Sequence, residues 1–229
     1  AVHRWDSSWH LFANTTTQVD LNAVDVVVWN PNLDTGDRLR MSQHAHAAVY
    51  ADDCVRLEIQ LASPAFVYLV WIDSTGKSLP VYPWQKGDWS QRDPNESLRR
   101  QLSLPSSPFD YWTMESGPAG METVVLLTRR SPLPASVSMK NLLSEFRNHV
   151  VPLQPGIWRF INGQKFGPKQ RGPDLQQTAT VRDPLDRFQW RLVDVLRLHF
   201  DLVQTISFPF RAEQSSREMV SSFGAKSLP

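Results

Sequence analysis

Apolar and polar residues alternate with period two from Val55 to Leu61: Val55, Leu57, Ile59 and Leu61 interleave with Arg56, Glu58 and Gln60. Neighbouring side chains on a strand point to opposite faces, so this pattern predicts a strand with one apolar and one wet face. After Ser63-Pro64 the alternation stops. Ala65 to Ile72 (AFVYLVWI) is apolar throughout and rich in β-branched and aromatic residues, which predicts a second strand buried on both faces. Asp73-Ser74-Thr75-Gly76 then has Asp at the first and Gly at the last position of a turn. Leu79, Val81 and Tyr82 resume the apolar pattern, so residues 65–82 are expected to form a β-hairpin. Pro80 and Pro83 place its return strand at an edge or end it early.

Further strands are expected at Val24–Trp29, closed by Asn30-Pro31-Asn32, at Met121–Thr128, and at Thr205–Phe210. Arg38–Met41 and Arg99–Leu104 are shorter segments able to pair briefly. Two helices are expected. Ser138–Asn148 places Leu142, Leu143 and Phe146 on one face behind an N-cap at Ser138. The second opens at Asp183-Pro184 and carries a stripe of Leu185, Phe188, Leu192, Leu196 and Phe200. The fold class read from these patterns is α+β, mainly an antiparallel β sheet or sandwich, with two helices in the C-terminal third. The expected organisation is an N-terminal lead-in with one strand (1–36), a β-rich core domain (37–134), a helical and strand extension packed on it (135–211), and a disordered tail (212–229). Gly163–Thr180, polar and rich in Gly and Pro, reads as an exposed loop.

Bulk properties narrow the class. The 229 residues are 41% hydrophobic and 21% charged, with a net charge of +1. That balance offers no global electrostatic argument for nucleic acid or a membrane surface, and neither is an expected partner. No stretch approaches the ~20 apolar residues that span a bilayer. The single cysteine, Cys54, excludes an intrachain disulfide framework and a multi-cysteine zinc site, and fits a cytoplasmic setting. The chain begins at Ala1 without a signal-type region, and is expected to be excised from a longer polypeptide or processed. Nine tryptophans and seventeen prolines suit short strands joined by rigid loops and argue against a helical bundle.

Candidate chemistry is sparse. No Gly-x-Ser-x-Gly elbow, His-Glu-x-x-His pair or phosphate-cradling glycine loop is present, and Gly117-Pro-Ala-Gly120 reads as a turn before a strand. His44 and His46 are two apart, so on a strand they share a face, with Asp52, Asp53 and Cys54 as the only near third ligands. That pair lacks the spacing of zinc patterns and is a weak metal candidate; a polar strand and turn explains it as well. Cys54 is expected to be a small buried residue rather than a nucleophile. Lys165, Lys169, Arg171 and Arg182 form a basic patch that reads as a solvated loop. No cofactor is expected.

Residues 84–111 lack periodicity and form a long loop region, and Trp84, Trp89, Tyr111 and Trp112 lie in or beside it. Two readings stand. These aromatics grip a peptide or stack on sugar rings, or they cover the open end of the sheet as a loop-anchoring mini-core. Trp89, flanked by Gly87, Asp88 and Ser90, is the preferred anchor; Trp84, directly after Pro83, is expected to be structural.

The segments Phe66–Asp73, Gly76 and Pro80–Trp84, followed by Gly117, Gly120 and the strand Glu122–Leu127, resemble a bacterial domain family of unknown function. That family is appended to serine/threonine kinases and caspase-like peptidases in large signalling proteins. The resemblance covers about residues 37 to 134. It implies a non-enzymatic accessory or regulatory role, with a protein partner or a neighbouring domain of the same polypeptide, and it supplies no catalytic residues. The alternatives are a carbohydrate- or peptide-binding module using the Trp84–Trp112 loop, and a metal-dependent hydrolase centred on His44 and His46.

Overall fold

A computed structural model describes residues 21–31, 38–40, 48–85, 87–107, 110–147, 149–151, 159–164 and 183–212. The strands are β1 (Leu21–Trp29), β2 (Leu39–Arg40), β3 (Val49–Tyr50), β4 (Cys54–Ile72), β5 (Ser78–Tyr82), β6 (Arg99–Leu104), β7 (Trp112–Thr113), β8 (Gly120–Arg129), β9 (Arg159–Gln164) and β10 (Leu202–Arg211). The helices are α1 (Met139–Leu142), continued by a 3-10 turn at Ser144–Phe146, and α2 (Pro184–Leu196). Both lie in the C-terminal half, and the class is α+β with a largely antiparallel sheet. No described helix is long and apolar enough to cross a membrane.

The two strands expected on either side of Ser63-Pro64 are one strand of 19 residues, β4. Its first part pairs with β1, β6 and β7. Its last part pairs with β8 and β5. The β1 ladder ends at Leu61 and the β8 ladder begins at Phe66, so Pro64 falls where β4 passes from one set of partners to the other. The proline's missing N–H therefore interrupts neither of these two ladders; it falls instead in the irregular stretch of the β6 ladder, between Gln60 and Ala65. The first sheet runs β2-β1-β4 with β6 and β7 beyond β4; the second runs β5-β4-β8-β10-β9, and β3 joins β10 in parallel.

The second sheet is covered on both sides. Val67, Leu69, Val124, Leu126, Ile206 and Phe208 face the first sheet in one apolar cluster. Tyr68, Val70, Val125, Leu127 and Val203 face the helices in another, with Leu143, Phe146, Leu185, Phe188, Leu192 and Leu196. This layering explains the unalternating composition of β4's end, β8 and β10: a strand with no wet face is under no demand to alternate, and the few polar residues inside β8 and β10 are buried with the rest. The expected placement of Tyr68, Val70 and residues 122–127 in one buried sheet holds. Along Val55–Leu61 the alternation predicts burial well, with one exception. Arg56 is buried, its guanidinium donating to the carbonyls of Ser107 at 2.6 Å and Asp110 at 3.2 Å.

The helix starts are as the sequence spells them. Asp183 caps α2 by accepting from the Asp186 N–H at 2.9 Å, with Pro184 in the first turn. Ser138 caps α1 by accepting from the Asn141 N–H. The helix expected over Ser138–Asn148 is shorter than that span: a single α-turn followed by a 3-10 turn, spacing that keeps Met139, Leu143 and Phe146 on the sheet. Two corrections concern the end of the chain. Gly163 and Gln164, read as the start of a loop, finish β9 opposite Val203 and Leu202. The strand expected at Thr205–Phe210 is longer, Leu202–Arg211, and sits inside the sheet between β8 and β9. Residues 1–20, the His44/His46 pair, the basic patch and residues 213–229 of the tail lie outside the described residues.

Candidate functional site

The site is built where β4 ends and β8 begins. Asp73-Ser74-Thr75-Gly76 turns the chain as its composition predicts: Gly76 has φ +80° and donates its N–H to the Asp73 carbonyl at 2.8 Å. The Asp73 carboxylate accepts from the N–H groups of Thr75 and Lys77, both at 2.9 Å. Gly120 lies against this turn. A Cβ there would sit 2.9 Å from the Ser74 Cβ, so only glycine allows the approach without a shift. The closeness lets the Ser74 hydroxyl donate to the Pro118 carbonyl at 2.8 Å. It also lets the Ser74 N–H donate to Glu122 Oε1 at 2.9 Å.

Glu122 is the unexpected residue. It interrupts an apolar strand and is 4% exposed. Its second oxygen, Oε2, accepts from Trp71 Nε1. Burial pushes its carboxyl above the ordinary glutamate range; donation from Trp71 and Ser74 opposes that, and nearby Asp73 adds to it. Thus one carboxylate ties the indole of β4, the turn and β8 together.

Beside it opens a cavity of about 600 Å³, lined by Trp71, Trp84 and Trp112, by Leu79 and Val81 of β5, and by Glu122. Trp71 and Trp112 meet edge to face, centroids 6.4 Å apart and planes at 84°, so their indoles form two perpendicular walls. Trp71 is braced from behind by Phe208 at 5.7 Å. Among the described residues the charged lining side chains are Asp73, Glu115 and Glu122, and none is basic.

The four aromatics singled out from the sequence go to three places. Trp84 is 7% exposed and belongs to the core beneath the helices, edge-on to Trp89 at 5.1 Å. Trp89 is half-buried against the same cluster and lines a smaller cavity of about 310 Å³ with Arg92 and Met139. Tyr111 is exposed and packs edge-on against Trp29 at 5.5 Å. Trp112 alone joins Trp84 in the larger cleft. The loop itself is pinned from below. The Tyr68 hydroxyl donates to Glu96 and accepts from the Leu133 N–H at 2.7 Å. Arg92 pairs with Glu96 at 2.7 Å and donates to the Leu133 carbonyl at 2.9 Å. Burial first, then the hydrogen bond to Glu96, holds the Tyr68 phenol far above its ordinary value.

Trp71 and Glu122 escaped the sequence reading as site residues. Their signal was present in the lone carboxylate among Met121, Thr123, Val124 and Val125, a position that burial makes costly without partners. Asp53 and Cys54 belong to the scaffold. Asp53 is buried and accepts from Asn30 Nδ2 and the Tyr50 N–H, both at 2.9 Å. Cys54 is buried at the start of β4, and burial, then Asp53, pushes its thiol up. Among the described residues no group of three His, Cys, Asp or Glu side chains is arranged to hold a metal ion. No family model matches this chain, and no curated protein or solved structure matches it.

Proposed function

We propose that this chain is a non-enzymatic accessory domain of a bacterial multidomain signalling protein, in a cytoplasmic setting, and that it recognises a protein partner or a neighbouring domain of the same polypeptide. The observation that supports recognition is the tryptophan cleft. Its volume of about 600 Å³ is that of a ligand site. It combines indole walls with apolar β5 residues, the composition that concentrates interface energy. Its polar groups are engaged in holding the architecture rather than poised for chemistry. Glu122 takes two donors, and the Ser74 hydroxyl donates to a carbonyl rather than to a base.

The test is a combined peptide and glycan array probed with the purified chain and with Trp112→Ala. Binding to peptides, weakened about tenfold or more by the truncation, is expected for an aromatic anchor. Retention of glycans with no peptide bound would replace this reading by the carbohydrate-binding one.

A further inference from the structure

We infer that the cleft takes a cationic side chain, a lysine or arginine carried on an extended peptide segment, against the wall formed by the indoles of Trp71 and Trp112 and within reach of the carboxylates of Glu122 and Glu115. This rests on the recognition reading above and names its chemistry.

Three independent features converge. The first is charge. The chain as a whole is +1, yet among the described residues the cleft's lining holds three carboxylates and no base. A concave wall of one sign focuses its field into the opening and selects the opposite sign. The second is the geometry of the rings. Both indoles line the same cavity, their planes at 84° and their centroids 6.4 Å apart. Tryptophan faces attract ammonium and guanidinium groups more strongly than other aromatic rings do. The third is the state of Glu122. Its two oxygens each take one donor, from Trp71 and Ser74. A carboxylate offers about four lone-pair sites, so capacity remains for a donor arriving from the cavity. Because the carboxylate is buried, a cation that reaches it relieves an unfavourable desolvated charge.

The peptide rather than a small free cation follows from the surroundings. The volume exceeds what one lysine or arginine side chain fills, and the remainder is walled by Leu79, Pro80 and Val81 of β5. Among the described residues β5 pairs only with β4. Its outer edge is where an extended segment lies alongside a sheet.

The experiment measures fluorescence anisotropy of labelled degenerate pentapeptide pools that differ only at the central position: lysine, arginine, norleucine or glutamate. The lysine and arginine pools are expected to bind, the norleucine pool about tenfold or more weaker, and the glutamate pool not at all. Trp112→Leu should lose about tenfold. Glu115→Gln, an exposed rim change, should lose about two- to fivefold and flatten the salt dependence. Trp89→Ala, outside this cleft, should stay within about twofold of the parent. Circular dichroism melts of each variant confirm that it folds. Equal binding of the norleucine and lysine pools would overturn the cationic inference and leave peptide recognition standing. Binding of free lysine amide as tightly as the lysine pool would overturn the peptide in favour of a small cation. Failure of every pool would overturn both.

Discussion

Tyr68 and Trp71, three residues apart on β4, use the same device on opposite faces of one sheet. Each aromatic donor meets a glutamate, Glu96 for Tyr68 and Glu122 for Trp71. Each assembly also takes up one backbone N–H, from Leu133 in the first and Ser74 in the second. What surrounds them differs. Tyr68 is wholly buried, roofed by Trp84 and Phe200. Trp71 is half-buried and fronts an open cavity. The closed network anchors a loop, whereas the open one holds a turn while setting an indole and a buried carboxylate into the wall of a cavity. Identical pairings therefore become scaffold or site according to what the layer above them covers.

Four substitutions separate the closed network from the open one. Val70→Asp, on the closed face between the two residues and 0% exposed, puts an unpaired carboxylate beneath the helices. It should abolish cooperative unfolding, because that burial costs several kcal/mol against a total of about 5–15 kcal/mol. A sharp melt near the parent midpoint would remove the closed face from the core. Tyr68→Phe comes next, at about 2–4 kcal/mol in denaturant titration, since the Leu133 N–H and the Glu96 carboxylate lose their shared hydroxyl with no water able to replace it. A change below about 0.5 kcal/mol would show that this network is as solvated as the cleft.

Gly120→Ala should cost about 1–3 kcal/mol, because its Cβ would press on Ser74 and the turn must shift. The sharper expectation is its direction of action. It should also weaken whatever the cleft binds, whereas Tyr68→Phe should leave that affinity unchanged. The smallest effect is on pH dependence. Glu122 holds its proton more tightly in the fold than in the unfolded chain. Its contribution is therefore fully present below the ordinary glutamate range and is lost as pH rises through its higher native value. The stability of the parent minus that of Glu122→Gln should fall with rising pH over that window and then level off. Asp73 and Glu115 also line the cleft, but both remain in the variant. A difference that rises with pH would mean that Trp71 and Ser74 outweigh burial.

Local pattern determined a good deal here. Period-two alternation in Val55–Leu61, the unbroken apolar run at 65–72, the strand at 121–128, the Asp73–Gly76 turn, and the Asp183-Pro184 helix start each depend on near neighbours in the chain, and each appears in the fold, the first two as parts of one strand. What tertiary structure decided was everything set by distant partners. Pro64 reads locally as a break, yet β4 runs through it because β1 and β8, outside that stretch, end and begin around it. The four loop aromatics look alike in sequence, but Glu96 and Leu133 pin the loop so that Trp84 goes inward, Trp89 leans on it, and Trp112 reaches across to Trp71. Glu122 was visible as an oddity in an apolar strand. Its meaning depended on Trp71, 51 residues away, and on Ser74, 48 away, arriving at its two oxygens. Periodicity reports which face of an element is buried; which polar groups meet there is fixed only when the sheets and helices close over one another.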